Sequence, residues 1–472
     1  MANPADEIRQ IVEQVLKSED VRVLLRGSGV DSRGIFPDID TAVSAAGSAQ
    51  QELMALPLDT RRRIIEAMRH AVLSNNESLS TDAVAETGLG NVRDKQVKNA
   101  LAALKTPGVE DVEPAAFSDE HGLTITERAP YGVIGAITPV TNPIATITSN
   151  SIGMIAAGNS VVFNVHPGAR RVSNRLISLL NDAIAAAGGP RNVLCAAANP
   201  TIESAGELMK HRGVALLVVT GGPGVVKAAM ASGKKAICAG PGNPPVVVDP
   251  TADIAKAARD IVAGAGFDNN VVYTDEKEVF VVEGVADRLK QEMRARGGFE
   301  LTGSQVPAVT RVVLPQDAGP GRHSPPNKDL VGKDPAVIAR AAGIEVRPDT
   351  RILFMDVESS HPLVWSEQLM PVLPLVRMRT VDEAIDLAVK AEHGFCHTAV
   401  IHSHDIEKLS RMAKVMNCSL FVKNGPSFAG LGEGGAGYAS FTIASPTGEG
   451  LTRARTFTRE RRCTLVDYFR IV

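Results

Sequence analysis

The sequence predicts an α/β protein whose parallel sheets are covered on both faces. Three observations carry that prediction. Between Tyr131 and Ala239, short apolar runs rich in β-branched residues alternate with amphipathic segments, the pattern of strand–helix–strand crossovers. Glycine is abundant, 42 of 472 residues, while aromatics make up 4%, which suits a scaffold with many close backbone approaches. The rest of the composition is that of an ordinary globular chain, 44% apolar and 22% charged, with room for roughly three domains.

The elements follow in order. In Pro4–Lys17, Ile8, Ile11, Val12, Val15 and Leu16 form one helical stripe among charged residues. This segment, residues 1–17, reads either as a docking peptide or as a helix folded back on its own domain. Residues 18–34, with Gly27 and Gly29, read as a linker. Helices are predicted at Asp40–Met54, Thr60–Ser74 and Ser80–Glu86. The run YGVIGAITP from Tyr131 is a buried strand ending in proline. It is followed by a helix over Asn142–Ala157, the strand NSVVFNVHP, and a helix Val172–Ala187 stopped by Gly188-Gly189-Pro190. Val214–Thr220, a helix Val225–Ser232 and the strand Ala236–Ala239 complete the first half. Further on, PPVVVD, EVFVVE, AVTRVVLP and RILFMDV are strand candidates, with helices at Ile254–Ala265, Asp287–Ala295 and Val381–Ala391. The closing CTLVDYF reads as a strand that needs a partner from elsewhere.

Charge and motifs exclude several classes. A net charge of −3 argues against a polybasic nucleic-acid binder. No apolar run approaches the length of a membrane span, and no secretory signal is predicted. Cys195, Cys238, Cys396, Cys418 and Cys463 are widely spaced, as expected of free thiols in a cytoplasmic protein. His393, Cys396 and His397, with His402 and His404, would suggest a metal site on a helix. The stretch reads as a strand, which separates them, and no metal is expected.

Two segments point to chemistry. The strand-to-helix turn Thr220-Gly221-Gly222-Pro223-Gly224-Val225 allows close approach of a phosphate to a helix start. Lys227 stands where a dinucleotide fingerprint would have its last glycine, so a plain tight turn is the alternative. The segment from Thr138 and Pro139 to Asn142 lies at the end of a parallel strand, where ligands bind. Asn142 either stabilises an oxyanion with its side-chain NH2 or caps the following helix.

A third segment, Gly266-Phe267-Asp268-Asn269-Asn270-Val271-Val272-Tyr273-Thr274, is more specific. Together with ERAPYGVIGAITPVTNP, VVFNVHPGA, AGPGNPPVVVD and SPTGEG, it resembles the CoA-acylating aldehyde dehydrogenases. The resemblance is nearest to the propanal and acetaldehyde dehydrogenases of bacterial microcompartments, and it covers residues 34–472.

The resemblance implies an aldehyde dehydrogenase-like fold. A Rossmann-like NAD-binding domain would span 35–117 and 131–240, and a catalytic α/β domain 241–440. A β-arm for oligomerisation would join 118–130 to 441–472, giving a dimer or tetramer. Residues 1–17 would dock on a microcompartment shell or on co-encapsulated enzymes. The implied cofactor is NAD, with coenzyme A as co-substrate and a short-chain aldehyde as substrate. Thr138, Pro139, His166, Pro167, Gly168, Thr220, Gly221, Gly222 and Val225 would line the cofactor site. Glu367 would hold the nicotinamide ribose. His166 stands where hydrolytic relatives carry a lysine, which favours NAD over NADP.

One departure bears on mechanism. Where the family carries its catalytic cysteine, this chain has Tyr273. A phenol with a pKa of about 10 is a poor nucleophile at neutral pH, and its ring would fill the aldehyde pocket. The cycle should therefore stop before its first covalent step. Cys238 is the alternative nucleophile; it lies in ICAGPGNPP, near the place of the hydrolytic relatives' general base, and the absence of a carboxylate there favours transfer to CoA over water. A non-enzymatic cofactor-binding or assembly subunit and an acyl-phosphate reductase are the rival functions.

Overall fold

A computed structural model describes residues 33–319 and 321–472. The expectations for residues 1–17, and for the linker up to residue 32, lie outside the described residues.

Two wholly parallel sheets dominate. The first has six strands in the order Ile35–Phe36, Leu194–Ala197, Ser160–Asn164, Val133–Ile137, Leu216–Thr220, Ala236–Ala239. From Val133–Ile137 the chain first adds strands on one side, then returns to add two on the other. The crevice between Val133–Ile137 and Leu216–Thr220 is thus a topological switch point, where the carboxyl ends of the strands leave room for a ligand. The second sheet has seven strands in the order Gly298–Glu300, Ile352–Asp356, Val372–Met378, Glu278–Val282, Pro245–Val248, Thr398–His402, Leu420–Lys423. The central strands of both sheets are buried along their whole length, which is why they read as continuous Val/Ile runs without alternation.

A third, antiparallel sheet pairs Gly122–Pro130 with Ala115–Asp119 and with Thr458–Val466. Its outer strands are exposed, apart from Thr458. It begins at Ala115, three residues before the expected boundary. Residues 441–457 do not join it. Ala444, Ala454 and Phe457 are buried in the core of the first sheet, and Phe457 packs where Gly153 leaves space, 3.1 Å from an added Cβ.

The predicted strand AVTRVVLP is instead the helix Gln305–Val313. Its buried residues, Val309 and Val313, are four apart, and Pro307 sits in the first turn, where a missing N–H costs little. The β-branched content pointed to a strand, but packing of that one face decided otherwise. The helix Val92–Lys105, started by Asn91 accepting from Asp94 N at 2.9 Å, was not anticipated. No helix among the described residues is long and apolar enough to cross a membrane.

Candidate active site

The carboxyl edge of the first sheet faces the amino edge of the second. Asn142 follows the strand Val133–Ile137, and Thr220 and Ala239 end their own strands. Tyr273 precedes Glu278–Val282, and His397 immediately precedes Thr398–His402. These five residues line one cavity of about 20 Å³, room for about one water molecule.

The turn that delivers Tyr273 is built from Asp268, Asn269 and Asn270, with φ of 44°, 56° and 66°. Three successive left-handed non-glycine residues store strain of roughly 1–3 kcal/mol each, least for Asn and Asp. Side chains hold the turn. Asp268 Oδ1 accepts from Asn91 N at 2.9 Å, and Asp268 N donates to Asp94 Oδ2 at 2.9 Å. Asn269 Nδ2 donates to Gly332 O at 3.0 Å and Asn270 Nδ2 to Ala265 O at 2.9 Å. Gly90 is required beside it, because a Cβ there would stand 1.9 Å from Asp268 Oδ1.

At the end of that turn the Tyr273 hydroxyl accepts from Thr141 Oγ1 at 3.3 Å. Burial pushes the phenol up to about 12; the Thr141 bond lowers it and the nearby Glu367 charge raises it. The phenol is therefore protonated at neutral pH. Asn142 sits at the start of the helix Pro143–Ala156, yet its side chain does not cap it. Instead Oδ1 accepts from Lys98 Nζ at 2.5 Å, and Nδ2 donates to Thr141 Oγ1 at 3.1 Å. The capping alternative is thus set aside.

Glu367 stands behind this corner, its Oε1 accepting from Gly242 N at 3.0 Å. Burial raises its carboxyl to about 7, offset in part by Lys277 and the Gly242 N–H. His397 is buried and pushed down to about 3 by burial and by Lys277, so it is neutral. A Cβ on Gly242 would lie 2.9 Å from Tyr273 O and 3.0 Å from His397 Cγ, so this glycine lets three segments meet.

The other predicted residues are more dispersed. Thr138 and Pro139 are buried at the strand end, with the Thr138 hydroxyl unpartnered. Thr220 Oγ1 bonds Thr442 Oγ1 at 2.9 Å, so it faces the C-terminal segment as well as the cavity. Gly222 is the cap of the helix Pro223–Met230. A Cβ on Gly221 would lie 2.7 Å from Val225 Cγ1, so a side chain there requires Val225 to shift. Beside this turn runs an apolar groove of about 510 Å³ lined by Pro223, Val226, Met230, Pro241 and Phe395. His166, Pro167 and Gly168 are exposed beyond Ser160–Asn164, and His166 Nδ1 accepts from Gly168 N at 3.0 Å.

Cys238 is fully buried in an apolar cluster with Val219 and Val162, its thiol pushed up to about 11 by burial and by Glu449. A closed, protonated thiol is no nucleophile. His393 lies apart from His397, its Nε2–H on Trp365 O at 2.9 Å. Sequence reasoning passed over Lys98 and Thr141, and weighed His397 only as a metal ligand. Lys95 and Lys98 are one turn apart on the helix Val92–Lys105, among Arg93, Asp94, Gln96 and Asn99, so the local pattern is that of an ordinary solvated face and does not mark them as buried.

A profile of the aldehyde dehydrogenase family matches residues 33–298. The acetylating acetaldehyde dehydrogenase EutE of Escherichia coli K12 is 48% identical over 474 residues, covering 98% of this chain and all of that protein. The crystal structure of propionaldehyde dehydrogenase from Rhodopseudomonas palustris, with bound CoA and an acylated cysteine, superposes with a TM-score of 0.89. It is 49% identical and covers 92% of this chain and 99% of that one. A propionaldehyde dehydrogenase from the fucose-utilisation microcompartment of Clostridium phytofermentans gives a TM-score of 0.90 at 44% identity, over 93% of this chain and all of that one.

Proposed function

Because the chain belongs to the aldehyde dehydrogenase family, we propose that its architecture serves the acylating reaction, aldehyde + NAD⁺ + CoA → acyl-CoA + NADH + H⁺, and that Tyr273 stops it. The observation that carries this reading is the corner that the Tyr273 ring fills. A neutral phenol, hydrogen-bonded to Thr141, stands beside Asn142 in a cavity of about 20 Å³, where the resemblance places a thiolate.

The groove and its turn fit a nicotinamide dinucleotide. The walls are apolar, as a nucleobase requires, the helix start at Gly222 favours a pyrophosphate, and a Cβ at Gly222 or Gly224 would meet nothing. When bound, the dinucleotide supplies the hydride acceptor. In a chain with cysteine at position 273, the thiolate adds to the carbonyl carbon. Asn142 Nδ2 and the backbone N–H of residue 273 hold the developing alkoxide. Hydride departs, and CoA thiol then takes the acyl group from the thioester.

In this chain the first bond does not form. Folding and nucleotide binding are retained, with Glu367 on the nicotinamide ribose and neutral His166 favouring NAD. The solvent-facing arm supports a dimer or tetramer, and the relatives' setting supports a place inside a bacterial microcompartment. The two parallel sheets serve as cofactor and catalytic domains.

The test is NADH formation from propanal and CoA. The chain as it stands gives none, Tyr273→Cys turns over, and Cys238→Ser changes neither. Turnover by the unmodified chain that Cys238→Ser abolishes refutes the reading. Absence of turnover in Tyr273→Cys favours a cofactor-binding subunit instead.

A further inference from the structure

Lys98 is buried with 2% of its surface exposed, and the reaction above gives it no task. Its Nζ meets two groups, Asn142 Oδ1 at 2.5 Å and the Asp268 carboxylate. Lys95, one turn earlier and also buried, reaches the same carboxylate at 3.0 Å. Asp268 is itself fixed by Asn91 N and bonds Asp94 through its own N–H. Buried ion pairs are poor devices for stability, since apolar replacements of the same volume are often as stable. Two buried lysines on one carboxylate therefore call for a functional account.

The two ends of an asparagine amide have nearly the same shape, so packing alone does not decide which end faces the cavity. Lys98 decides it. An ammonium only donates, so it takes the amide oxygen and leaves Nδ2 on the far side. There Nδ2 meets Thr141 Oγ1 at 3.1 Å, and Thr141 in turn bonds the group at position 273. We propose that Lys98, anchored by Asp268, is a positioning residue that fixes the Asn142 amide with its NH2 toward the reacting carbonyl. A charged donor on the oxygen also polarises the amide and strengthens its N–H groups. The proposal rests on Asn142 being the oxyanion donor.

The experiment uses Tyr273→Cys as its background. Adding Lys98→Met lowers kcat for acyl-CoA formation about 10- to 100-fold with the KM for propanal little changed, and Lys98→Gln, which keeps a donor, recovers part of it. In Asn142→Ala, the further change Lys98→Met has no effect, because the residue acts through that amide. Losses that multiply, or a Lys98→Met enzyme within about twofold of its parent, overturn the proposal. If Asn142→Ala costs nothing, the oxyanion reading fails; if Tyr273→Cys is inert, the reaction itself fails. In both cases crystal structures of the unmodified chain and of Lys98→Met still read the amide directly. Asn142 leaving Thr141 supports the positioning role, and unchanged contacts overturn it.

Discussion

The apolar groove beside Pro223 and the corner at Tyr273 lie at the same meeting of two sheets, yet they differ in size, in how open they are and in backbone strain. The groove is open, apolar and about 510 Å³. The corner is about 20 Å³, lined by Asn142, Thr220 and His397 together with apolar Val272, Leu431 and Phe441, and a left-handed turn leads into it. The groove is formed by backbone geometry and apolar walls from Pro223, Val226, Met230, Pro241 and Phe395. The corner needs one nucleophile at one position, held by a costly left-handed turn and two buried lysines. The turn is fully formed with Tyr273 at its end, so on the proposed reading binding and chemistry can be tested separately in this fold.

The largest effect that would break the comparison is at Tyr273. Tyr273→Cys should raise NADH formation by four orders of magnitude or more, equivalent to roughly 5 kcal/mol of barrier. Tyr273→Ala, which opens the corner without a thiol, should stay inactive. Next, Asn142→Ala in the Tyr273→Cys chain should lower kcat by about 10²–10³, read by the initial rate of NADH formation. A third change addresses the groove alone. Gly222 has an ordinary extended backbone, φ −67° and ψ 170°, and its Cβ direction is open. Gly222→Val should therefore fold normally but place a methyl pair where a phosphate would sit. Calorimetry should show NAD affinity reduced about tenfold or more, with the melting temperature unchanged.

Sharpening is also possible from the ligand side. With the Gly222 turn as the proposed platform for both adenosine pyrophosphates, saturating CoA should raise the apparent Kd for NAD in proportion to its concentration; simultaneous independent binding would contradict a shared site. The smallest effect concerns Glu367, whose carboxyl is raised to about 7 by burial. Folding favours its protonated form. That contribution is complete below the ordinary carboxylate range and is lost as pH climbs from about 4.5 to 7. Glu367→Gln should flatten the melting-temperature change between pH 5 and 8 by roughly 1–2 °C.

Much of the fold was legible because parallel strands buried on both faces leave unbroken Val/Ile runs, as in Leu216–Thr220. Gln305–Val313 was misread because its residues favour strands and only the spacing of Val309 and Val313 argues for a helix. The site was legible where a residue type does one thing, as with glycine at a tight turn. It was not legible at Lys98, whose role depends on Asp268 and Asn142, 170 and 44 residues away. No local pattern encodes that meeting.

Phe457 has a consequence for how the protein is made. The first sheet takes its strands from residues 35–239, and a ribosome completes them early. Yet the space beside Gly153 stays unfilled and one bond of Asn159 stays unmade until residue 457 emerges, because Phe457 packs beside Gly153 and its carbonyl accepts from Asn159 Nδ2 at 3.0 Å. The earliest sheet to be synthesised is therefore completed only after the whole second sheet has been made. Premature termination anywhere before this point leaves a hole the size of an aromatic ring, a defect costing about 3–5 kcal/mol. Such fragments carry an unfinished core and one unpaired edge on the strand Gly122–Pro130, which expose them to chaperones and proteases.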